Sequence, residues 1–286
     1  MRLLLSILPF FLLIGISAQD PVAPDPRIEK VNGLAEALAG AGNDQARDSI
    51  NLQLKQAIKK IFEADDAPSL DLTSLKLSRV DAPDGSFRLI TWNVPRENGS
   101  HLYEGILLHL KGKNRSLFEL RDMTGEITSP EVPELGPDRW YGALYYEVVP
   151  VKKGAKTYYT LLGWKGHDRV ETRKVIDVLH FKGSRPVFGA PLFGEGRLKR
   201  NRKVYAYSFR STMMLRYDAD MQRIVLDHLS PSRADLEGQF AFYGPDMSYD
   251  AFRWEKGQWI HERDIDARDR SRNGKPYNAP PKPPSP

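Results

Sequence analysis

The sequence predicts a mainly β protein, an antiparallel β domain preceded by an N-terminal helical hairpin. Apolar residues recur at helical spacing between residues 26 and 66. From residue 75 onward the period changes, and short runs rich in β-branched and aromatic residues alternate with Gly, Asn and Asp turn signals. No stretch alternates strand with helix as a parallel sheet requires. A sandwich, an open barrel and a propeller-like meander all satisfy this spacing.

The chain opens on Met1-Arg2, an almost unbroken apolar run over residues 3–16, and Ile16-Ser17-Ala18 before Gln19-Asp20. This predicts a signal peptide, residues 1–18, cleaved after Ala18, and hence a periplasmic or secreted protein. The run is short for a membrane span, so no transmembrane segment is expected after cleavage; an uncleaved anchor is the alternative. No cysteine follows the cut, which excludes lipoprotein anchoring. Residues 19–25 (QDPVAPD) form a Pro-rich leader.

The chain has 286 residues, 41% hydrophobic and 10% aromatic, enough for a sizeable core. Cysteine is absent, so stability comes without disulfides, and thiolate zinc sites and cysteine nucleophiles are excluded. The formal charge is +5; without Arg2, 41 basic residues face 37 acidic ones. That balance is mild, and no nucleic-acid partner is expected. Two basic clusters stand out: Arg197, Lys199, Arg200, Arg202, Lys203, and Arg268, Arg270, Arg272, Lys275. They could meet anionic glycan, lipid head groups or nucleic acid; the plainer reading is a solvated turn and a solvated tail.

Asp25-Pro26 starts the first helix, a capping carboxylate before Pro at the first helical position. Ile28, Val31, Leu34, Ala35 and Leu38 form its stripe, and Gly40 and Gly42 break it. Asn43 or Asp44 caps the second helix, whose stripe is Ile50, Leu54, Ala57, Ile58 and Ile61, and Asp65-Asp66-Ala67-Pro68 stops it. The β domain then covers residues 67–270. Strands are expected at 87–92, 102–110 and 115–121, with Asn98-Gly99 as a hairpin turn. Residues 124–138, rich in Pro and Gly, form a long connection where the β region would divide. Further strands are expected at 140–151, 157–164, 174–181, 204–209, 212–217, 223–227, 237–243, 251–254 and 259–263. Residues 271–286, ending APPKPPSP, form a Pro-rich tail expected to be extended or disordered. An outer-membrane barrel is disfavoured, because the strands lack long clean alternation and no closing aromatic strand is present.

The blocks at 158–163 (YYTLLG), 174–181 (KVIDVLHF), 223–229 (RIVLDHL) and 243–252 (YGPDMSYDAF) resemble an uncharacterised family of exported proteins of Gram-negative bacteria. The earlier 84–93 (DGSFRLITWN), Asn98-Gly99 and Tyr103-Glu104-Gly105 are similar to that family too. The resemblance spans most of the chain after residue 18. It implies export and a shared β domain, and it carries no activity, ligand or site residue.

No nucleophile elbow, zincin motif, phosphate loop or dinucleotide fingerprint is present, and no catalytic, cofactor or metal residue is assigned. Four weaker constellations remain. Asp227-His228 could orient a proton, but adjacent strand residues point to opposite faces, so the pair meets only if the strand ends there. Tyr243-Gly244-Pro245-Asp246 with Tyr249 and Asp250 could grip a sugar; the plainer reading is a turn whose Asp side chains bond their own backbone. Asp264, Asp266 and Asp269 could ligate calcium, but the loop pattern is missing and arginines intervene. Trp140, Tyr141, Tyr145 and Tyr146, with Tyr158 and Tyr159, could offer an aromatic face, with Trp140 and Tyr146 on one side of a regular strand; sheet packing is the plainer account.

The leading expectation is a non-enzymatic envelope or secreted protein that binds a protein or a glycan, with no cofactor. One alternative is a polysaccharide hydrolase using Asp227, Asp246 and Asp250, which requires two carboxylates facing each other across a cleft. The other is a docking module, which requires apolar residues left uncovered at Ile50, Leu54 or Ile61.

Overall fold

The structure is a computed structural model describing residues 25–111, 115–194 and 199–267. The expected signal peptide, nearly all of the leader and the Pro-rich tail lie outside the described residues. So do Arg197, Arg268, Asp269, Arg270, Arg272 and Lys275.

The chain opens with α1 (Pro26–Gly40) and α2 (Asp44–Glu63). Asp25 caps α1, its carboxylate accepting the Arg27 N–H at 2.8 Å. Asn43 caps α2, its Oδ1 accepting the Ala46 N–H at 2.8 Å, so the cap falls on the first of the two expected residues.

Three antiparallel sheets follow, each a run of consecutive strands. The first holds β1 (Ser78–Asp81), β2 (Phe87–Pro95), β3 (His101–His109) and β4 (Ser116–Arg121) in that order. The second holds β5 (Leu144–Lys153), β6 (Lys156–Gly166), β7 (Glu171–Lys182) and β8 (Arg185–Phe188), with β9 (Lys203–Ser208) paired to the first half of β7. The third holds β10 (Leu215–Asp218), β11 (Arg223–Pro231), β12 (Tyr243–Glu255) and β13 (Gln258–Glu262).

Strand alternation stacks these elements in layers. On β2, Ile90, Trp92 and Val94 pack with Leu54, Ile58 and Ile61 of α2. The opposite face, Phe87 and Leu89, meets Tyr159, Leu161, Val175 and Leu179 of the second sheet. The far side of that sheet, Leu162, Ile176 and Val178, meets Ile224, Leu226, Phe252 and Trp259 of the third. The order is helices, first sheet, second sheet, third sheet, and among the described residues no closed barrel forms. Two sheets are therefore buried on both faces. This explains why β2 and β7 carry apolar residues on both faces, Leu89 beside Ile90 and Val175 beside Ile176, rather than a clean alternation. Each large side chain so buried contributes about 1.5–3 kcal/mol.

Several local expectations are corrected. The strand expected from residue 140 begins only at Leu144. Trp140 therefore does not share a face with Tyr146; it packs beside Tyr145, donating from Nε1 to the Tyr145 hydroxyl at 3.2 Å. Of the strand expected at 237–243 only Tyr243 is strand; the residues before it lead through a 3-10 turn, Phe240–Phe242, into β12. The strand expected to end at Asp227 continues to Pro231. The basic run at 199–203 is not a solvated turn. Arg202 is fully buried against Asp177, while Arg200 and Lys203 face Glu131 at 3.6 and 3.2 Å.

Candidate functional site

The third sheet places the five predicted site residues in three different settings. Asp227 and Tyr249 are register partners on β11 and β12. The Asp227 carboxylate turns to the backbone, accepting the Met214 N–H at 2.7 Å, and Asp227 does not pair with His228. A register shift between Asp227 and Leu229 instead aims His228 across to β12. There His228 Nδ1–H donates to Asp250 Oδ2 at 3.0 Å, and His261 Nε2–H on β13 donates to the same oxygen at 3.2 Å. Asp250 is buried, and its other oxygen accepts the Asp264 N–H at 3.3 Å. One carboxylate thus ties together two imidazoles and the turn after β13. Among the described residues no group of three or more His, Asp or Glu is arranged to hold a metal ion.

Asp246 lies apart, at the mouth of a cleft of about 700 Å³. It accepts from the Ser230 hydroxyl at 2.6 Å and from the Ser248 hydroxyl at 2.7 Å. These bonds, with the nearby His228 charge, hold its carboxyl down at about 2. The cleft is built where four segments converge: the β6–β7 turn with Arg169 and Val170, the end of β9 with residues 209–211, the end of β11, and the start of β12. Gly244 permits this convergence, since a Cβ there would stand 3.0 Å from the Ser211 hydroxyl. Three apolar side chains on this rim stay open to solvent: Phe209 at 58%, Val170 at 54% and Phe242 at 49% exposure. Arg169 and Arg210 stand among them.

A second cleft, of about 450 Å³, opens on the other side of the β6–β7 turn, where Gly166 and His167 line it. Its distinguishing group is Lys165 on β6, only 1% exposed. Lys165 Nζ donates to the Gly142 carbonyl at 2.6 Å and reaches Thr124 Oγ1 at 2.8 Å. The Tyr103 and Tyr141 rings flank it at 4.2 and 4.6 Å. The Thr124 hydroxyl in turn donates to Asp122 Oδ1, which also accepts the Thr124 N–H at 3.0 Å. Burial pulls the Lys165 amine down to about 7, against the opposing pull of the Asp122 charge. Burial also lowers His101 and His167 at the same cleft. Sequence reasoning missed Lys165 and Thr124. The available signal was alternation: Tyr159, Leu161 and Lys165 share the face of β6 that looks into the core.

The aromatic segments are mostly core, as sheet packing implies: Trp140, Tyr141, Tyr145 and Tyr159 are buried, Tyr158 is half-buried and Tyr146 is exposed. Compared with known proteins, the chain matches no family, no curated protein and no solved structure.

Proposed function

We propose that this is an exported binding protein that captures a partner protein in the cleft between the β6–β7 turn and the start of β12. The observation that carries this reading is the solvent-open trio Val170, Phe209 and Phe242 set among Arg169 and Arg210. Aromatic and arginine side chains dominate the energetics of protein interfaces, and apolar groups on a concave rim supply the desolvated centre. A glycan surface is less well supported. It calls for Trp and Tyr rings with polar edges at the surface, and the grouped tyrosines here are mostly buried.

The chemistry of the acidic residues favours binding over polysaccharide hydrolysis. Of Asp227, Asp246 and Asp250, Asp246 alone lines the cleft; Asp250 is enclosed by two histidines, and Asp227 is bonded to backbone. A docking role for the hairpin is less well supported, because Leu54 and Ile61 are buried and Ile50 is half-buried against the same core. Residues 1–18 supply the expectation of export.

The test compares partner recovery from an envelope extract by the wild-type chain, by Phe209→Ala with Phe242→Ala, and by Leu52→Ala on the exposed face of α2. Loss of the partner in the double variant with retention in Leu52→Ala supports the reading. Equal recovery by all three would contradict it.

A further inference from the structure

We propose that Thr124 and Lys165 form a nucleophile–base pair that hydrolyses small carboxylic esters in the second cleft. The proposal stands on a different cleft from the protein-binding site and does not depend on it.

Geometry carries it. Thr124 is half-buried and lines the cleft, and its Oγ1 lies 2.8 Å from Lys165 Nζ, within direct proton-transfer range. The amine is oriented by the Gly142 carbonyl and confined by two tyrosine rings. A base fixed by a third group beside a hydroxyl is the arrangement that activates an alcohol. No carboxylate lies within ion-pair distance of Nζ among the described residues: Asp122 is directed to Thr124 and to the Tyr103 N–H. Burying an ammonium without a carboxylate partner is costly, a cost that the Gly142 carbonyl and the two ring faces offset only in part. A neutral amine removes that cost, and the depressed Lys165 value agrees. Gly125, next to Thr124, lines the cleft with open space where a Cβ would stand, which leaves room for a small acyl group.

The reaction balances with water as the co-reactant. The Thr124 hydroxyl turns from Asp122 to neutral Lys165, which takes its proton as Oγ1 adds to the ester carbon and the carbonyl π pair moves onto oxygen. That pair returns, the bond to the leaving alkoxide breaks, and Lys165 hands it the proton. Water then attacks the acyl-threonine, again giving its proton to Lys165. The acid departs, and the proton returns to Thr124. Asp122 is a positioning residue that holds the Thr124 N–H throughout. The titratable groups facing the amine are Asp122, Tyr103, Tyr141, Arg173, His101 and His167.

The probe is 4-nitrophenyl acetate with the full chain, read by nitrophenolate release and by peptide mapping of acetylated residues. Expected are turnover that rises with pH through an inflection near 7 and an acetyl group on Thr124. Thr124→Ala and Lys165→Met should each lower the rate about a hundredfold, and Thr124→Ser should restore it. Circular dichroism verifies that each variant is folded, and Thr124→Ser keeps the test open if Lys165→Met is not. Absence of turnover in the wild type, acetylation confined to other residues, or a rate unchanged in Thr124→Ala would overturn the proposal.

Discussion

Arg202 and Asp177 form an ion pair in which both side chains are fully buried, Nε to Oδ1 at 3.1 Å, in the middle layer of the molecule. Arg202 also donates to the Phe188 carbonyl at 2.9 Å, and Tyr145 donates its hydroxyl to the other Asp177 oxygen at 2.9 Å. The pair ties β7 to β8, β9 and the long connection before β5. Removing one partner leaves a stranded buried charge, so Arg202→Met should destabilise the fold by about 3–5 kcal/mol. Arg202→Met with Asp177→Leu should recover much of that loss, since apolar replacement of both partners is often neutral. Urea unfolding of the single and double variants checks this. Additive losses would contradict it.

The pH dependence of stability has a definite sign. Burial lowers His180 from the ordinary 6.5 to about 4, with the Lys156 charge adding to the effect. It lowers His101, His109 and His167 in the same direction. A base with a depressed folded pKa binds protons more readily when unfolded, so stability rises with pH across the window between the two values. For His180 that stability is complete above about 6.5 and is lost as pH falls toward about 4. The urea midpoint should therefore drop steadily from pH 7 to pH 4, and His180→Leu should shallow the slope. A flat profile, or greater stability in acid, would contradict this.

The Asp246 carboxyl owes its low value first to the Ser230 hydroxyl. Ser230→Ala should move it up toward the ordinary carboxylate range. Carbon-detected NMR titration of the Asp246 carboxyl reads the shift directly, and an unchanged value would show that the bond is not made in solution.

The helical hairpin contributes through its caps and its buried face. Asn43→Ala should cost about 1 kcal/mol, and Leu54→Ala about 2–5 kcal/mol because it opens a cavity between α2 and the first sheet. Thermal unfolding should rank Leu54→Ala well below Asn43→Ala. The reverse order would mean that α2 does not seat on the sheet as described.

Much of this architecture is legible from the residues alone. Asp25-Pro26 and Asn43 mark both helix starts, and Asp84-Gly85, Gly154 and Lys256-Gly257 mark turns between strands. The short β1 and β8 are missed, because so few residues show little period of their own, whereas the equally short β10 overlaps the strand expected at 212–217. Trp140 and Tyr141 look like strand because aromatics favour sheets, yet they serve the core from an irregular segment. At the site, alternation correctly separates Asp227 from His228. It does not reveal that a bulge turns His228 to Asp250, or that His261 joins them, because those contacts depend on strand register. Arg202 is missed for the opposite reason: within a basic run, nothing local distinguishes the one side chain that finds a buried carboxylate.

The most direct test of the account places a photo-crosslinking residue at position 242 in the chain expressed with its own N-terminus, then determines the mass and N-terminal residue of the adduct recovered from the envelope fraction. The account predicts a chain beginning at Gln19 joined to one partner protein through the cleft. A chain that retains residues 1–18, or one recovered without any protein adduct, would contradict it.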